Sequence, residues 1–168
     1  MALNIVLTQP SIIENVGNIC RTCLGFNMKL HMVRPYGFIW NKAKLNRSST
    51  NHIDEVEIHQ YDDWQEFMQK TQTGNAKYYF YTRYGTKTPS DFKYDLDNEE
   101  IYLVFGNEHY GIDKQILKAN LDTCVRIPMS SNLICLNISN SVAIASYEVM
   151  KQNDYKDLSL FELFNKEW

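Results

Sequence analysis

The strongest constraint on the fold of this chain is the alternation of short β-prone runs with segments of helical periodicity. Five runs of strand length are rich in β-branched and aromatic residues: Leu3–Leu7, Leu30–Val33, Lys77–Thr82, Ile101–Phe105 and Cys124–Ile127. A sixth, weaker run alternates apolar side chains at Val56, Ile58 and Tyr61. This alternation predicts an α/β fold with a mostly parallel sheet, in which ligands bind beyond the carboxyl ends of the strands.

Length and composition are those of one globular unit. At 168 residues the chain is long enough to bury a proper core, so we expect a single domain over residues 1–168. Its 44% hydrophobic and 22% charged residues exclude a disordered or fibrous protein. No run approaches the roughly 18 apolar residues of a membrane span, and no leader pattern is visible. We therefore expect a cytoplasmic protein with no membrane contact.

The charge of the chain bears on its partners. A formal net charge of −3 argues against a protein that coats nucleic acid by bulk attraction, although a local basic patch is compatible with it. The most basic local stretch runs from Trp40 to His52 and contains Lys42, Lys44 and Arg47. This stretch is either a solvated helix and loop or the best single candidate for a phosphate contact.

The four cysteines do not predict a metal site. Cys20 and Cys23 form a C-x-x-C, but Cys124 and Cys135 are too widely spaced to supply a matching second pair. The C-x-x-C falls within a predicted helix, and the strand-and-turn context of a thioredoxin-like redox site is missing, so redox chemistry is not indicated either. We expect free, mostly buried thiols and no metal.

A polar loop leads into a helix near the C-terminus. Ile138, Val142, Ala145 and Val149 are spaced as one apolar helical stripe, and the residues Ser139–Ser141 are suited to capping the start of that helix. The loop of residues 129–137 would then run into helix amide donors, which favour a polar or charged ligand. A capped helix that follows a simple turn remains the alternative at this point.

Three segments, considered together, resemble one known family. They are N-x-G-N-x-x-R at Asn15–Arg21, L-V-F-G-N-E-x-x-G-I at Leu103–Ile112, and R-I-P-M followed by L-N-I-S-N-S-V-A within Arg126–Ala143. Their order and spacing resemble the three motifs of the SPOUT methyltransferases, and the short chain is similar to the TrmL/YibK type. The resemblance covers almost the whole sequence.

The resemblance implies a fold, an activity and partners. The C-terminal part would be tied in a deep trefoil knot that binds S-adenosylmethionine. The methyl group would be transferred to the ribose 2'-oxygen of the wobble nucleotide, cytidine or a modified uridine, in leucine tRNAs. The enzyme would act as a homodimer with its active site near the subunit contact, and the apolar segment from Leu160 to Trp168, expected to be helical, would dock on the domain or join that interface.

The resemblance also implies site residues. Cofactor loops would contain Tyr81, Gly106, Ile127, Cys135 and Leu136, mostly through backbone groups. Arg21 matches the motif arginine and would be the catalytic residue. Because a guanidinium stays protonated, we expect it to hold a phosphate or stabilise a developing alkoxide more readily than to accept a proton. Asn18, Glu108 and Asn140 would position loops or substrate.

Two alternatives remain open. The same chemistry could act on another tRNA ribose or on rRNA, although the chain begins directly at its first strand, which favours the small tRNA class. A protein that binds RNA without catalysis would instead be expected to have a disrupted cofactor loop, whereas Gly106, Ile127 and the residues Asn137–Asn140 look intact.

Overall fold

The computed structural model describes residues 2–49 and 53–161. The strands are β1 (Leu3–Thr8), β2 (Lys29–Val33), β3 (Ile58–Tyr61), β4 (Ala76–Tyr81), β5 (Glu100–Phe105) and β6 (Cys124–Val125). The α-helices are α1 (Ile13–Gly25), α2 (Lys42–Ser48), α3 (Trp64–Thr71), α4 (Lys114–Ala119) and α5 (Ile138–Gln152). Three 3-10 turns lie at Ile53–Glu55, Pro89–Asp91 and Leu121–Thr123.

The six strands form one sheet in the order β3-β2-β1-β5-β4-β6. Every pair of neighbours is parallel; Val6 of β1, for example, lies opposite His31 of β2 and Val104 of β5. All six residues of β1 are buried, as expected where helices cover both faces of a parallel sheet. The expected α/β class with a mostly parallel sheet is therefore confirmed.

Two apolar layers cover the sheet. Ile5 and Leu7 of β1 face the layer that contains α1 and α5, while Val6 faces the layer that contains α3 and α4. The predicted stripe of α5 is buried through Val142, Ala145 and Val149, which are fully enclosed. Burial of each large aliphatic side chain stabilises the fold by roughly 1.5–3 kcal/mol, so this packing anchors α5 under the polar loop that precedes it.

A buried polar group joins β1, β2 and β3. Asn4 Nδ2 donates to the carbonyls of Ala2 and Ile101. Its Oδ1 is thereby directed towards His31 Nε2, which lies 3.1 Å away. His31 Nε2 is then the donor, and Nδ1 accepts from the Tyr61 hydroxyl at 2.8 Å. Burial, with a smaller contribution from the charges of His59 and Lys29, lowers the pKa of His31 to about 3, so the ring is neutral in the folded protein.

Some predicted boundaries were wrong. The last strand ends at Val125 and not at Ile127, because the Arg126 amide donates to the Lys87 carbonyl and leaves the sheet ladder. Helix α5 begins at Ile138, just before the residues Ser139–Ser141 that were expected to cap it, and its cap is Asn137. Most of the terminal helix expected at Leu160–Trp168 lies outside the described residues; within them, Leu160 and Phe161 are exposed.

The basic stretch contains helix α2, which buries Leu45 and exposes Lys42, Lys44 and Arg47. Lys42 at its start forms an ion pair with Asp54 at 2.6 Å, so part of its charge is already balanced. His52 lies outside the described residues. Among residues 2–49 and 53–161, no helix combines the length and apolarity needed to cross a bilayer.

Candidate active site

A cavity of about 450 Å³ lies at the carboxyl ends of the central strands. The segments that follow β4, β5 and β6 form its walls, and the start of α5 closes one side. A parallel sheet collects its loops at this edge, and ligand sites occur there in open α/β folds. The volume lies within the roughly 300–1,000 Å³ of typical small-molecule sites.

The structure gathers the expected cofactor residues around this cavity. Tyr81, Gly106, Ile127, Cys135 and Leu136 all line it, although they come from four separate segments of the chain. Tyr81 itself is buried, its ring is stacked on Phe105 at 4.9 Å, and its hydroxyl lies 3.5 Å from that of Tyr94. Tyr81 therefore borders the cavity with a ring that is already packed.

Glycine is required where the loop after β5 folds back on itself. A Cβ at Gly106 would lie 2.1 Å from the Gly111 carbonyl carbon, which no side chain tolerates. Asn107 and Gly111 exchange two backbone hydrogen bonds, and Gly111 has a φ of +76°. The loop is thus a closed, tight turn that brings backbone atoms to the cavity wall.

Glu108 fastens this loop to the start of α1. Its Oε2 accepts from the Ser11 amide at 2.8 Å and the Ser11 hydroxyl at 2.7 Å. Its Oε1 accepts from the Ile12 amide at 3.1 Å and from Asn15 Nδ2 at 3.0 Å. Helix α1 has no side-chain cap of its own at Ile12, so Glu108 supplies the acceptor and the negative charge that a helix N-terminus favours.

The same hydrogen bonds determine the ionisation of Glu108. Partial burial would raise the pKa of this carboxyl, but the hydrogen bonds from Asn15 and Ser11 together outweigh it and lower the pKa below its ordinary value. The carboxylate is therefore charged at neutral pH and accepts at both oxygens.

A second bridge joins α1 to α5. Asn137 Nδ2 donates to Asn15 Oδ1 at 3.1 Å, while Asn137 Oδ1 accepts from the Ser139 amide at 2.9 Å and the Ser139 hydroxyl at 2.6 Å. Glu108, Asn15 and Asn137 therefore form a continuous chain of hydrogen bonds, hereafter the clamp, that links the three sequence motifs along one side of the cavity.

Asn15 and Asn137 were missed as site residues. Both occupy asparagine positions of the quoted motifs, but the sequence offers several asparagines there and does not show which face inward. The structure selects Asn15, which is buried, and Asn137, which caps α5. Asn18 and Asn140, expected to position loops or substrate, are exposed and lie outside the cavity lining.

Arg21 also lies outside the cavity lining. It is exposed on α1, one turn beyond Asn18, and its side chain makes no hydrogen bond or ion pair within residues 2–49 and 53–161. Its guanidinium is therefore available to a ligand or to another subunit.

The cysteines occupy two environments. Cys20, Cys23 and Cys124 are buried and free, and burial raises the pKa of Cys20 to about 12. Cys135 is exposed at the cavity wall. In the part of the chain that the structure describes, no group of three or more histidines, cysteines or acids is placed to hold a metal ion.

The family model and the relatives that match this chain agree on one family. The model of the SpoU rRNA methylase family matches residues 2–147. A relative from Geobacillus stearothermophilus, provisionally named tRNA (cytidine(34)-2'-O)-methyltransferase, is 40% identical over 159 residues, which cover 95% of this chain and 100% of the relative.

Solved structures agree with this result. A provisionally named RNA methyltransferase from Bacillus anthracis superposes with a TM-score of 0.87 at 36% identity, covering 95% of this chain and 99% of that one. A structure described as giving insights into the 2-OH methylation of C/U34 on tRNA has a TM-score of 0.84 at 29% identity, covering 92% and 98%. The SpoU methyltransferase AviRb from Streptomyces viridochromogenes, solved with AdoMet, shares the fold with a TM-score of 0.79 at 21% identity, covering 91% of this chain and 58% of that one.

These similarities also bear on topology, because the structural neighbours imply the expected trefoil knot in the C-terminal part. Since the family model spans most of the chain and the Geobacillus relative matches it along its own full length, this protein belongs to the SpoU methylase family.

Proposed function

We propose that this protein transfers a methyl group from S-adenosylmethionine to the ribose 2'-oxygen of nucleotide 34 in tRNA. The observation that carries the proposal is the clamp, in which Glu108, Asn15 and Asn137 join three motifs around one cavity. The relative from Geobacillus and the structure concerned with C/U34 support this nucleotide as the target.

The cavity suits the cofactor in size and chemistry. Its lining combines apolar side chains, such as Ile127 and Leu136, with the backbone of the tight turn at Gly106 and the first residues of α5. We propose that these residues, with Tyr81 and Cys135, hold S-adenosylmethionine mainly through backbone amides and carbonyls. The cofactor would supply a methyl group already activated by its sulfonium, so the protein needs chiefly to align the attacking oxygen.

Arg21 is proposed to act on the RNA. An exposed guanidinium can bind a phosphate through two hydrogen bonds, or stabilise negative charge that develops on the ribose oxygen. A guanidinium stays protonated in proteins, so it is a poor proton acceptor. Asn18 and Asn140 are exposed as well, and we propose that they contact the RNA or the other subunit.

We further propose that the protein works as a homodimer. Ile144 and Tyr147 are 43% and 51% exposed on the outer face of α5, beside a shallow apolar cavity of about 560 Å³ that also includes Phe26 and Pro89. A second copy that covers this face would bury these side chains, and it could bring its Arg21 to the cavity of the first. This arrangement would explain why Arg21 lies outside the cavity of its own subunit.

The identity of the tRNA rests on the motif resemblance alone. It favours leucine isoacceptors, and a tRNA substrate agrees with a cytoplasmic location. A ribose in ribosomal RNA is the second candidate, because the family model that matches this chain is that of the SpoU rRNA methylases.

The test is methyl transfer from radiolabelled S-adenosylmethionine to total tRNA and to ribosomal RNA from a strain that lacks this protein, followed by nuclease mapping. Label on the 2'-oxygen of nucleotide 34 in leucine tRNAs is the expected result. Label on rRNA would show that rRNA, and not tRNA, is the substrate. The absence of label on both RNAs would contradict the proposed activity.

A further inference from the structure

The mouth of the cavity has an unusual set of exposed side chains. Tyr84 and Tyr110 are 57% and 76% exposed, and both line the cavity. They follow β4 and β5 respectively. Arg83 and Arg126 also line the cavity, and the charge of Lys114 acts on Tyr84. We refer to Arg83, Tyr84, Tyr110, Lys114 and Arg126 as the rim.

The ring of Tyr84 is held in place. Arg83 Nη2 donates to the Tyr84 hydroxyl at 2.6 Å, and its guanidinium carbon lies 4.8 Å from the centre of the ring. Arg126 Nη1 donates in turn to the Arg83 carbonyl at 2.6 Å, which ties this segment to the one after β6. An exposed ring that is oriented in this way has little conformational entropy left to lose when a planar ligand binds.

The rim is also locally positive. The hydrogen bond from Arg83 lowers the pKa of Tyr84 from its ordinary value, and the nearby charges of Arg83 and Lys114 act in the same direction. Asp113, the acid beside Lys114, accepts the Gln115 amide at 2.6 Å as the cap of α4. A cationic rim on a chain of net charge −3 indicates a local site for an anion rather than general attraction.

Exposed aromatic rings beside cations fit unpaired RNA. Bases in a single-stranded loop stack on aromatic side chains, while cations bind the phosphates between them. We propose that the rim binds the nucleotides adjacent to the methylated one, with Tyr84 and Tyr110 stacked on bases and Arg83 and Lys114 at phosphates. This inference rests on the proposed function and adds the position of the RNA strand to it.

The experiment compares RNA affinity with cofactor affinity. The probe is an unmodified tRNA transcript with cytidine at position 34, titrated into Tyr84→Ala, Tyr110→Ala, Tyr84→Phe and Tyr110→Phe, with S-adenosylmethionine binding measured by calorimetry. We expect each alanine variant to bind the transcript about 5- to 150-fold more weakly, because the stacking ring is lost. Tyr110→Phe should stay within about twofold of wild type, whereas Tyr84→Phe keeps the ring but loses its bond to Arg83 and should fall between wild type and Tyr84→Ala. Cofactor affinity should fall much less than RNA affinity in the alanine variants, because other residues of the cavity are proposed to hold the cofactor.

Two further variants serve as a charge test and a control. Lys114→Met should weaken RNA binding and reduce the slope of log K against log salt by about one, as expected for one lost phosphate contact. Leu121→Ala alters a residue that is 67% exposed but lies outside the cavity lining, and it should leave both affinities unchanged.

The outcomes separate this inference from the proposed function. If wild-type protein methylates the transcript and both alanine variants bind it within twofold of wild type, the rim inference is wrong and the proposed function stands. Loss of cofactor binding together with RNA binding would also overturn the rim as an RNA site. A wild-type protein that neither binds nor methylates any tRNA would refute both.

Discussion

Asn15 Nδ2 donates to Glu108 Oε1 at 3.0 Å, and this bond joins the first turn of α1 to the loop after β5 across 93 residues of sequence. Asn15 Oδ1 in turn accepts from Asn137. One buried asparagine thus holds together the three segments that surround the cavity. We therefore expect substitutions in the clamp to disturb the site most.

Glu108→Gln should weaken the clamp. The NH2 group of glutamine would replace one of the two carboxylate oxygens and would face either the Ser11 amide or the Ile12 amide, so at least one hydrogen bond is lost and a donor is left facing another donor. We expect a loss of about 1–3 kcal/mol in the free energy of unfolding and weaker cofactor binding. Urea denaturation and calorimetry measure the two effects.

The control for Glu108 is Glu99→Gln, which breaks only a 4.0 Å surface pair with Lys77. Such pairs contribute little, and we expect a change within about 0.5 kcal/mol. Equal effects of the two substitutions would show that the hydrogen bonds to Ser11, Ile12 and Asn15 do not stabilise the site.

Asn137 has two roles that substitution can separate. Asn137→Asp keeps the acceptor that caps α5 but loses the donor to Asn15, whereas Asn137→Ala loses both. We expect the alanine variant to unfold more easily by about 1 kcal/mol than the aspartate variant, as expected for a lost N-cap, while both bind cofactor more weakly. Full cofactor affinity in the aspartate variant would contradict a role for the bridge to Asn15.

Arg21→Ala should reduce turnover without altering the fold. Removing a donor that stabilises developing charge typically costs about 3 kcal/mol, so methyl transfer should fall by roughly a hundredfold or more. The side chain is exposed, so we expect thermal stability and cofactor binding to remain at wild-type values. Turnover within threefold of wild type would refute the proposed role, and Lys118→Ala on α4 is the control.

The stability of the fold should decrease in mild acid because of His31. Its folded pKa of about 3 lies below the ordinary histidine value of 6.5, so the unfolded chain binds the proton first. The neutral ring therefore stabilises the fold fully above pH 6.5, and this contribution is lost as the pH falls from 6.5 towards 3, by up to about 1.4 kcal/mol per pH unit.

Urea denaturation of wild type and His31→Gln between pH 7 and 5 tests this expectation. This window lies above the range in which the Glu108 carboxylate titrates, since that pKa is lowered from 4.5. The variant should be less stable at pH 7, and its free energy of unfolding should change less with pH than that of wild type. Parallel profiles would show that His31 does not control the acid response.

Periodicity predicted the α/β class and the parallel sheet, and the family resemblance predicted the residues that gather at the cavity. They could not predict which asparagines hold the loops, because Asn15 and Asn18 are only one helical turn apart, and it is tertiary packing that buries the first and leaves the second exposed. They also placed the end of β6 too late, since the bond from the Arg126 amide to the Lys87 carbonyl joins segments that sequence distance does not relate. The clamp is a tertiary feature of the same kind.

The central claim is methylation of the ribose at nucleotide 34, and one matched pair of substrates tests it directly. One tRNA carries cytidine at position 34, and the other is identical except for 2'-deoxycytidine there. We predict transfer of label from S-adenosylmethionine to the first and none to the second. Equal transfer to both would show that the 2'-oxygen of this nucleotide is not the acceptor and would contradict the account.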